Sequence, residues 1–244
     1  MRRFNIFRDE TCKVYAEDTL EFPDSRYWGN LSNKLFFIFY RLGYDNQLLD
    51  SIFSKLDLYK ENFKKRNGEN NDKTSVVPYI EIIHVMNDLR MIVDEMIALL
   101  YILEQREILG DYPQVIDVDN IGVYLEFSKN DDNESVIFFN DYRDFLKLIN
   151  DITNTYKHSF LNDHVLFLRQ INEPTVFALK TATSRKRNKF DIPNHKFIAV
   201  PLEKIIDGFN EMFVKYHVLL KDKAYSQLLK DLESKKRGQS SGSE

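Results

Sequence analysis

Residues 76 to 109 read VVPYIEIIHVMNDLRMIVDEMIALLYILEQREIL, and this stretch decides the fold. Large apolar residues recur in it at every third or fourth position, namely Ile82, Met86, Leu89, Val93, Met96, Leu100 and Leu103. This spacing is typical of one face of an α-helix. Further apolar residues widen the face beyond that of a surface helix, so we expect a central helix that is contacted on more than one side. Gly110 and Pro113 are expected to end it.

The segments on either side of this helix add further helices and a few short strands. Apolar stripes predict helices over residues 30–42, 46–65, 141–160 and from 202 onward, with Gly43 separating the first two. Short β-branched or alternating segments predict strands over residues 115–118, 122–127, 165–169, 175–181 and 196–200. The predicted fold class is therefore mainly α, a helical bundle with a small β-hairpin insertion.

The distribution of polar and aromatic residues predicts the domain organisation. Residues 1–29 are irregular and rich in aromatic residues, and we expect them to form an arm that packs on the body. Residues 30–234 are expected to form one helical domain, with the polar segment 66–75 as a loop. Residues 235–244 are charged and rich in Gly and Ser, which predicts a disordered tail.

Composition argues against several classes of function. The chain has 38 acidic and 34 basic residues, so it lacks an overall positive charge for binding nucleic acid or membranes. The single Cys12 cannot build a disulfide framework or a cysteine-based zinc site. The first residues lack an apolar core, so we expect no secretory leader. The sequence also lacks an apolar stretch of membrane-spanning length, a glycine-rich phosphate loop and a serine nucleophile elbow. We expect a cytoplasmic protein with no membrane partner and no cofactor.

The most informative segment for chemistry is INDITNTYKH, residues 149–158. On a helix, Asn150, Asn154 and His158 are four residues apart and share the face opposite the apolar stripe. Lys157 lies next to this face. Together these residues form a polar surface with acid–base capability near neutral pH, because an imidazole titrates in that range.

The order of the predicted elements resembles that of the HEPN superfamily. A long core helix is followed by a helix ending in Asn154-x-x-Lys157-His158, then by a β-hairpin and a final long helix. That superfamily contains metal-independent endoribonucleases and noncatalytic relatives. The resemblance implies a HEPN-like helical bundle, and it implies a homodimer in which the active-site helices of two copies meet across a two-fold axis.

The resemblance also implies roles for individual residues. In the family ribonucleases the His helps to activate the ribose 2′-hydroxyl, and an Arg that precedes it stabilises phosphate charge. Here Asp151, Ile152 and Thr153 stand where that Arg would be, so only His158 and its polar neighbour Asn154 carry over. The candidate catalytic residues are therefore His158, Asn154 and Lys157, although Lys lacks the fixed fork of Arg.

Three functions remain open at this point. The first is an RNA-associated, HEPN-like protein of a defence or toxin–antitoxin type system with weak or no nuclease activity. The second is a noncatalytic helical scaffold or regulatory binding protein, for which the missing Arg argues. The third is a metal-independent endoribonuclease that uses His158. Expected partners are a second copy of the chain, RNA or a partner protein, and whether the protein is an enzyme is left open.

A basic segment offers a separate binding site for phosphate. Its positive residues are Arg185, Lys186, Arg187 and Lys189, and residues 235–237 form a second basic run. Such a segment can bind a nucleic-acid backbone without sequence preference. It can equally serve only to keep the protein in solution.

Two clusters of acidic residues are candidates for a metal-binding site. Glu81, His84, Asp88 and Glu95 form an acidic strip along the central helix, which we interpret as a polar surface facing solvent or a partner rather than as a metal site. Residues 111–134 contain seven acidic residues, but their spacing is not that of a calcium-binding EF-hand loop. The sequence therefore gives no reason to expect a bound metal.

Overall fold

A computed structural model describes residues 2–7, 12, 20–23, 25, 27–65, 77–128, 139–158, 174–180 and 196–240. The elements in chain order are α1 (Leu31–Lys65), α2 (Val77–Leu109), α3 (Ile121–Phe127), α4 (Arg143–His158), β1 (Thr175–Lys180), β2 (Lys196–Pro201) and α5 (Leu202–Ser240). The prediction of a mainly helical protein with a small β-hairpin is confirmed.

Helix α2 lies at the centre of the bundle. It packs against α1, α3, α4 and α5, and most of its apolar side chains from Ile82 to Leu103 are buried, with Met91 exposed. The helix ends at Gly110, whose φ of 77° is in the left-handed region and whose N–H donates to the carbonyl of Arg106 at 2.9 Å. The prediction of a central helix contacted on several sides is confirmed.

Helix α1 is continuous, so the prediction that Gly43 separates two helices is wrong. Glycine costs a helix about 1 kcal/mol relative to alanine, an amount that the packing of a buried face readily offsets. Leu42 and Leu49 on either side of Gly43 are fully buried. A Cβ at Gly43 would lie 3.4 Å from Cys12 Cβ and 3.7 Å from the Phe7 ring. These are ordinary van der Waals distances, so the N-terminal segment packs on α1 without requiring a glycine at this position.

The predicted strands over residues 115–118 and 122–127 are also wrong. The first segment is irregular, and the whole of the second belongs to helix α3. Asn120 caps this helix, because its side-chain oxygen accepts a hydrogen bond from the Val123 N–H at 3.0 Å. Ile121 and Tyr124, three residues apart, point into the core. The cap and the tertiary packing override the strand preference of the β-branched residues.

The two strands form an antiparallel ribbon in which Thr175 is opposite Pro201 and Lys180 is opposite Lys196. The strands predicted over residues 175–181 and 196–200 are thus observed, whereas the strand predicted at 165–169 lies outside the described residues. The ribbon packs against α4, where the Tyr156 hydroxyl donates to the Phe177 carbonyl at 3.1 Å. Strand β2 passes directly into α5.

The described part of the N-terminal segment packs on the helices. Phe4 is almost fully buried, and its ring meets that of Phe209 edge-on. The Asn46 amide exchanges two hydrogen bonds with the backbone of Phe4, at 2.8 and 3.0 Å. At the other end of the chain, α5 continues through residues 235–240, where the sequence predicts a disordered tail. Residues 241–244 lie outside the described part.

Candidate functional site

The polar face predicted for residues 149–158 lies on α4. Leu146, Ile149 and Ile152 are fully buried on the opposite side of this helix. Asn154 and Lys157 are exposed, and the Asn154 amide donates to Asn150 Oδ1 at 3.1 Å. His158 is the last residue of α4, and its side chain lies outside the described part of the structure. The structure thus places Asn150, Asn154 and Lys157 on one accessible surface.

An arginine reaches this face from another helix. The Arg90 guanidinium, on α2, donates from Nη1 to Asn150 Oδ1 at 2.7 Å and to Thr153 Oγ1 at 3.4 Å. Its side chain is only 10% exposed. The sequence places no arginine at residues 151–153, and the fold brings one to this face from α2. The sequence analysis missed this contact because Arg90 and Asn150 are 60 positions apart in the chain.

Arg90 is not a free cation. Its Nε donates to both carboxylate oxygens of Asp94 at 2.9 Å. Burial raises the pKa of Asp94, while its hydrogen bond from the Ile121 N–H and the positive charges of Arg90 and Lys157 act in the opposite direction. Asp94 therefore neutralises Arg90 and joins the beginning of α3 to α2, so the pair holds three helices together.

The basic segment containing Arg185, Lys186, Arg187 and Lys189 lies outside the described residues. It belongs to the connection between β1 and β2, which leaves the ribbon at the paired residues Lys180 and Lys196. The ribbon itself packs on α4. The second basic run lies on the last turns of α5, where the side chains of residues 235 and 236 are exposed.

The acidic strip of α2 faces α1, not only solvent. We call this contact the α1–α2 seam, and it consists of Arg41, Asp45 and Lys55 on α1 with Glu81, His84, Asp88 and Glu95 on α2. At its two ends the charges are paired. Lys55 Nζ lies 2.6 Å from Glu81 Oε1, and Arg41 Nη1 lies 3.3 Å from Glu95 Oε1. Between these pairs, His84 and Asp88 lie beside Asp45.

Asp45 is the unusual residue of the seam. It is fully buried, and neither of its carboxylate oxygens has a hydrogen-bond partner within the described part of the chain. Burial raises the pKa of Asp45 to about 8, and the nearby Asp88 carboxylate adds to the increase while Arg41 opposes it. Sequence reasoning did not identify Asp45. The sequence feature that could have identified it is the presence of an acidic residue on the apolar stripe of α1, between Leu42 and Leu49.

Comparisons with protein-family models, with curated proteins and with solved structures gave no match for this chain. Within the described residues, no helix combines the length and the apolar character needed to span a membrane. The functional argument therefore depends on the geometry of the chain itself.

Proposed function

We propose that this protein is an RNA-associated, HEPN-like protein of a defence or toxin–antitoxin type system that cleaves RNA weakly or not at all. The observation that carries the proposal is the accessible face of α4, where Asn154 and Lys157 are exposed and the adjacent Arg90 is neutralised by Asp94. The HEPN-like arrangement and its biological setting are implied by the sequence resemblance alone, and the mainly helical fold agrees with that arrangement.

RNA association is supported by the donors on this face. Lysine and asparagine side chains are common phosphate and sugar ligands, and such contacts fix position without reading sequence. The basic residues 185–189 are attached to the ribbon that packs on α4. Because the chain as a whole carries a formal charge of −4, we expect weak binding that depends strongly on salt.

Inefficient cleavage is supported by the state of Arg90. A histidine at His158 can move a proton near neutral pH, but the transition state also needs a donor for the developing phosphate charge. Arg90 is nearly buried and its Nε is bonded to Asp94, so it cannot serve phosphate without breaking that pair. Loss of one such donor costs a factor of about 10²–10³ in rate.

The test is RNA binding by fluorescence anisotropy, measured with a labelled single strand at two salt concentrations. Lys157→Ala, and a combined replacement of Arg185, Lys186 and Arg187 by Ala, should each weaken binding and flatten its salt dependence. Lys221→Ala removes an exposed lysine from α5 and should change nothing. Asp94→Asn releases Arg90 and should steepen the salt dependence by about one phosphate contact.

Cleavage assays distinguish the alternatives. Rapid cleavage in the presence of a chelator that is lost in His158→Ala would contradict the proposal and establish the endoribonuclease. If RNA neither binds nor is cut, and the basic replacements have no effect, the chain is a noncatalytic scaffold or regulatory binding protein.

We also propose that the protein is a homodimer in which the α4 faces of two copies border one cleft. The resemblance supports this assembly, and so does a cluster of exposed aromatic residues on α1, Phe36, Phe37, Tyr40 and Tyr44, which is available for a protein contact. The apolar character of α2 adds no support, since most of its apolar side chains are already buried within one chain.

A further inference from the structure

The α1–α2 seam brings together three side chains that can bind a metal ion. Asp45 comes from α1, whereas His84 and Asp88 come from successive turns of α2. One potential ligand atom from each residue lies within 4.8 Å of the other two, and His84 Nε2 is 3.7 Å from Asp88 Oδ2. Asp45 lies at the buried side of the group, and the His84 side chain, which is 53% exposed, lies at its open side.

Asp45 lacks a compensating partner. A fully buried carboxylate is expected to be paired or hydrogen-bonded, because its desolvation is costly. Both Asp45 oxygens have no hydrogen-bond partner among the described residues. The nearest arginine along α1, Arg41, is paired with Glu95 instead. A cation at the centre of the group would supply the missing positive charge.

We propose that Asp45, His84 and Asp88 bind one divalent first-row transition-metal ion. The imidazole nitrogen favours such ions over Mg²⁺ and Ca²⁺, which prefer sites built only from oxygen ligands. Zn²⁺ binds carboxylate oxygen and imidazole nitrogen at about 2.0–2.2 Å, so ligand atoms around one ion lie roughly 3.4 Å apart. Because the present separations do not exceed 4.8 Å, the ligand atoms must approach one another by at most about 1.4 Å.

The two helices fix the relative positions of these ligands. His84 and Asp88 are four residues apart, so α2 alone holds them on one face. Asp45 adds the third ligand across the seam, and the ion would link α1 to α2. Three protein ligands leave a further coordination position for water or for an atom of a substrate. The site does not involve α4 and is independent of the proposed RNA-binding role.

The experiment uses the full chain after removal of metals with a chelator. Titration with Zn²⁺ should show one saturable site per chain by calorimetry and should raise the thermal unfolding temperature. His84→Ala and Asp45→Asn should each weaken Zn²⁺ binding at least tenfold. Asp222→Asn removes the same charge from the exposed surface of α5 and should leave the affinity unchanged. Mg²⁺ should bind at least a hundredfold more weakly than Zn²⁺.

Three results would contradict the proposed metal site. Absence of saturable Zn²⁺ binding would overturn the proposal and leave Asp45 and Asp88 as a buried carboxyl pair. Zn²⁺ binding of unchanged affinity in His84→Ala would place the ion elsewhere and would also overturn it. Equal affinity for Mg²⁺ would contradict the assignment to a transition metal. If circular dichroism shows that Asp45→Asn does not fold, the Zn²⁺ affinity of His84→Ala tests the proposal, because the His84 side chain is half exposed and its loss should not prevent folding.

Discussion

Glu104 is a further carboxyl group whose charged form is disfavoured by burial. It lies on α2 near Lys223 of α5, with Lys223 Nζ 3.7 Å from Glu104 Oε1, and its Oε2 is buried without a hydrogen-bond partner among the described residues. Burial raises the pKa of Glu104 from 4.5 to about 7, although Lys223 opposes the increase. The carboxyl group therefore binds a proton more tightly in the folded chain than in the unfolded chain.

We predict a pH dependence of stability that comes from Glu104. The stabilising contribution of the bound proton is complete below pH 4.5 and is lost as the pH rises to about 7. Over this interval the free energy of unfolding should fall by at most about 3 kcal/mol relative to Glu104→Gln, which cannot ionise. Urea unfolding of both proteins between pH 4.5 and 8 measures the difference. Glu233→Gln, at an exposed position of α5, should follow the parent protein, and parallel curves for Glu104→Gln would contradict the prediction.

The residues of the α4 face show what a sequence can predict about a site. Helical periodicity places Asn154 and Lys157 on the polar side of their helix, and both are exposed. Periodicity does not indicate which other helix packs against a given helix. Arg90 and Asp45 acquire their importance from contacts with residues about 60 and 40 positions away in the chain, which depend on how the helices pack.

At the scale of helices, two glycines with different surroundings provide a matched test. A Cβ at Gly43 in α1 would make ordinary contacts of 3.4 Å or more, whereas a Cβ at Gly208 in α5 would lie 2.9 Å from Cε2 of Phe145 on α4. Both substitutions by alanine gain helix propensity of about 1 kcal/mol. Only Gly208→Ala must displace a packed ring, and such overpacking lowers the free energy of unfolding by about 1–3 kcal/mol.

We therefore predict opposite signs for the two substitutions. Gly43→Ala should raise the free energy of unfolding by about 0.5–1 kcal/mol, and Gly208→Ala should lower it by about 1 kcal/mol. Chemical denaturation of the two variants gives both values. The double variant Gly208→Ala with Phe145→Leu should recover part of the loss, because the smaller side chain makes room. Equal effects of the two single substitutions would show that α4 and α5 pack differently.

Helices and strands could be predicted where apolar residues keep a helical spacing over many positions, as in α2. They were not predictable where short-range signals conflict with packing. Gly43 signals a helix break, but the buried side chains around it keep α1 continuous. The β-branched residues near Ile121 signal a strand, but the Asn120 cap and the hydrogen bond from the Ile121 N–H to Asp94 start a helix.

For the whole molecule, we predict a dimer at micromolar concentration. Light scattering should give twice the chain mass of 29.0 kDa, with dissociation on dilution. Lys157→Glu places a negative charge on the α4 face and should weaken the dimer more than Lys221→Glu on α5. A mass of one chain at all concentrations would contradict the prediction. If only Tyr40→Lys dissociates the dimer, the copies associate through α1 and not through α4.

The direct passage of β2 into α5 has a mechanical consequence. No residue separates the strand, which ends at Pro201, from the helix, which begins at Leu202, and the Leu202 N–H is bonded to the Pro174 carbonyl at 2.9 Å. The ribbon and α5 are therefore joined without an intervening loop. Asp231, which pairs with Arg106, lies on the same helix about 44 Å along its axis from Leu202. We expect a displacement of β2 to be transmitted along α5 to this ion pair.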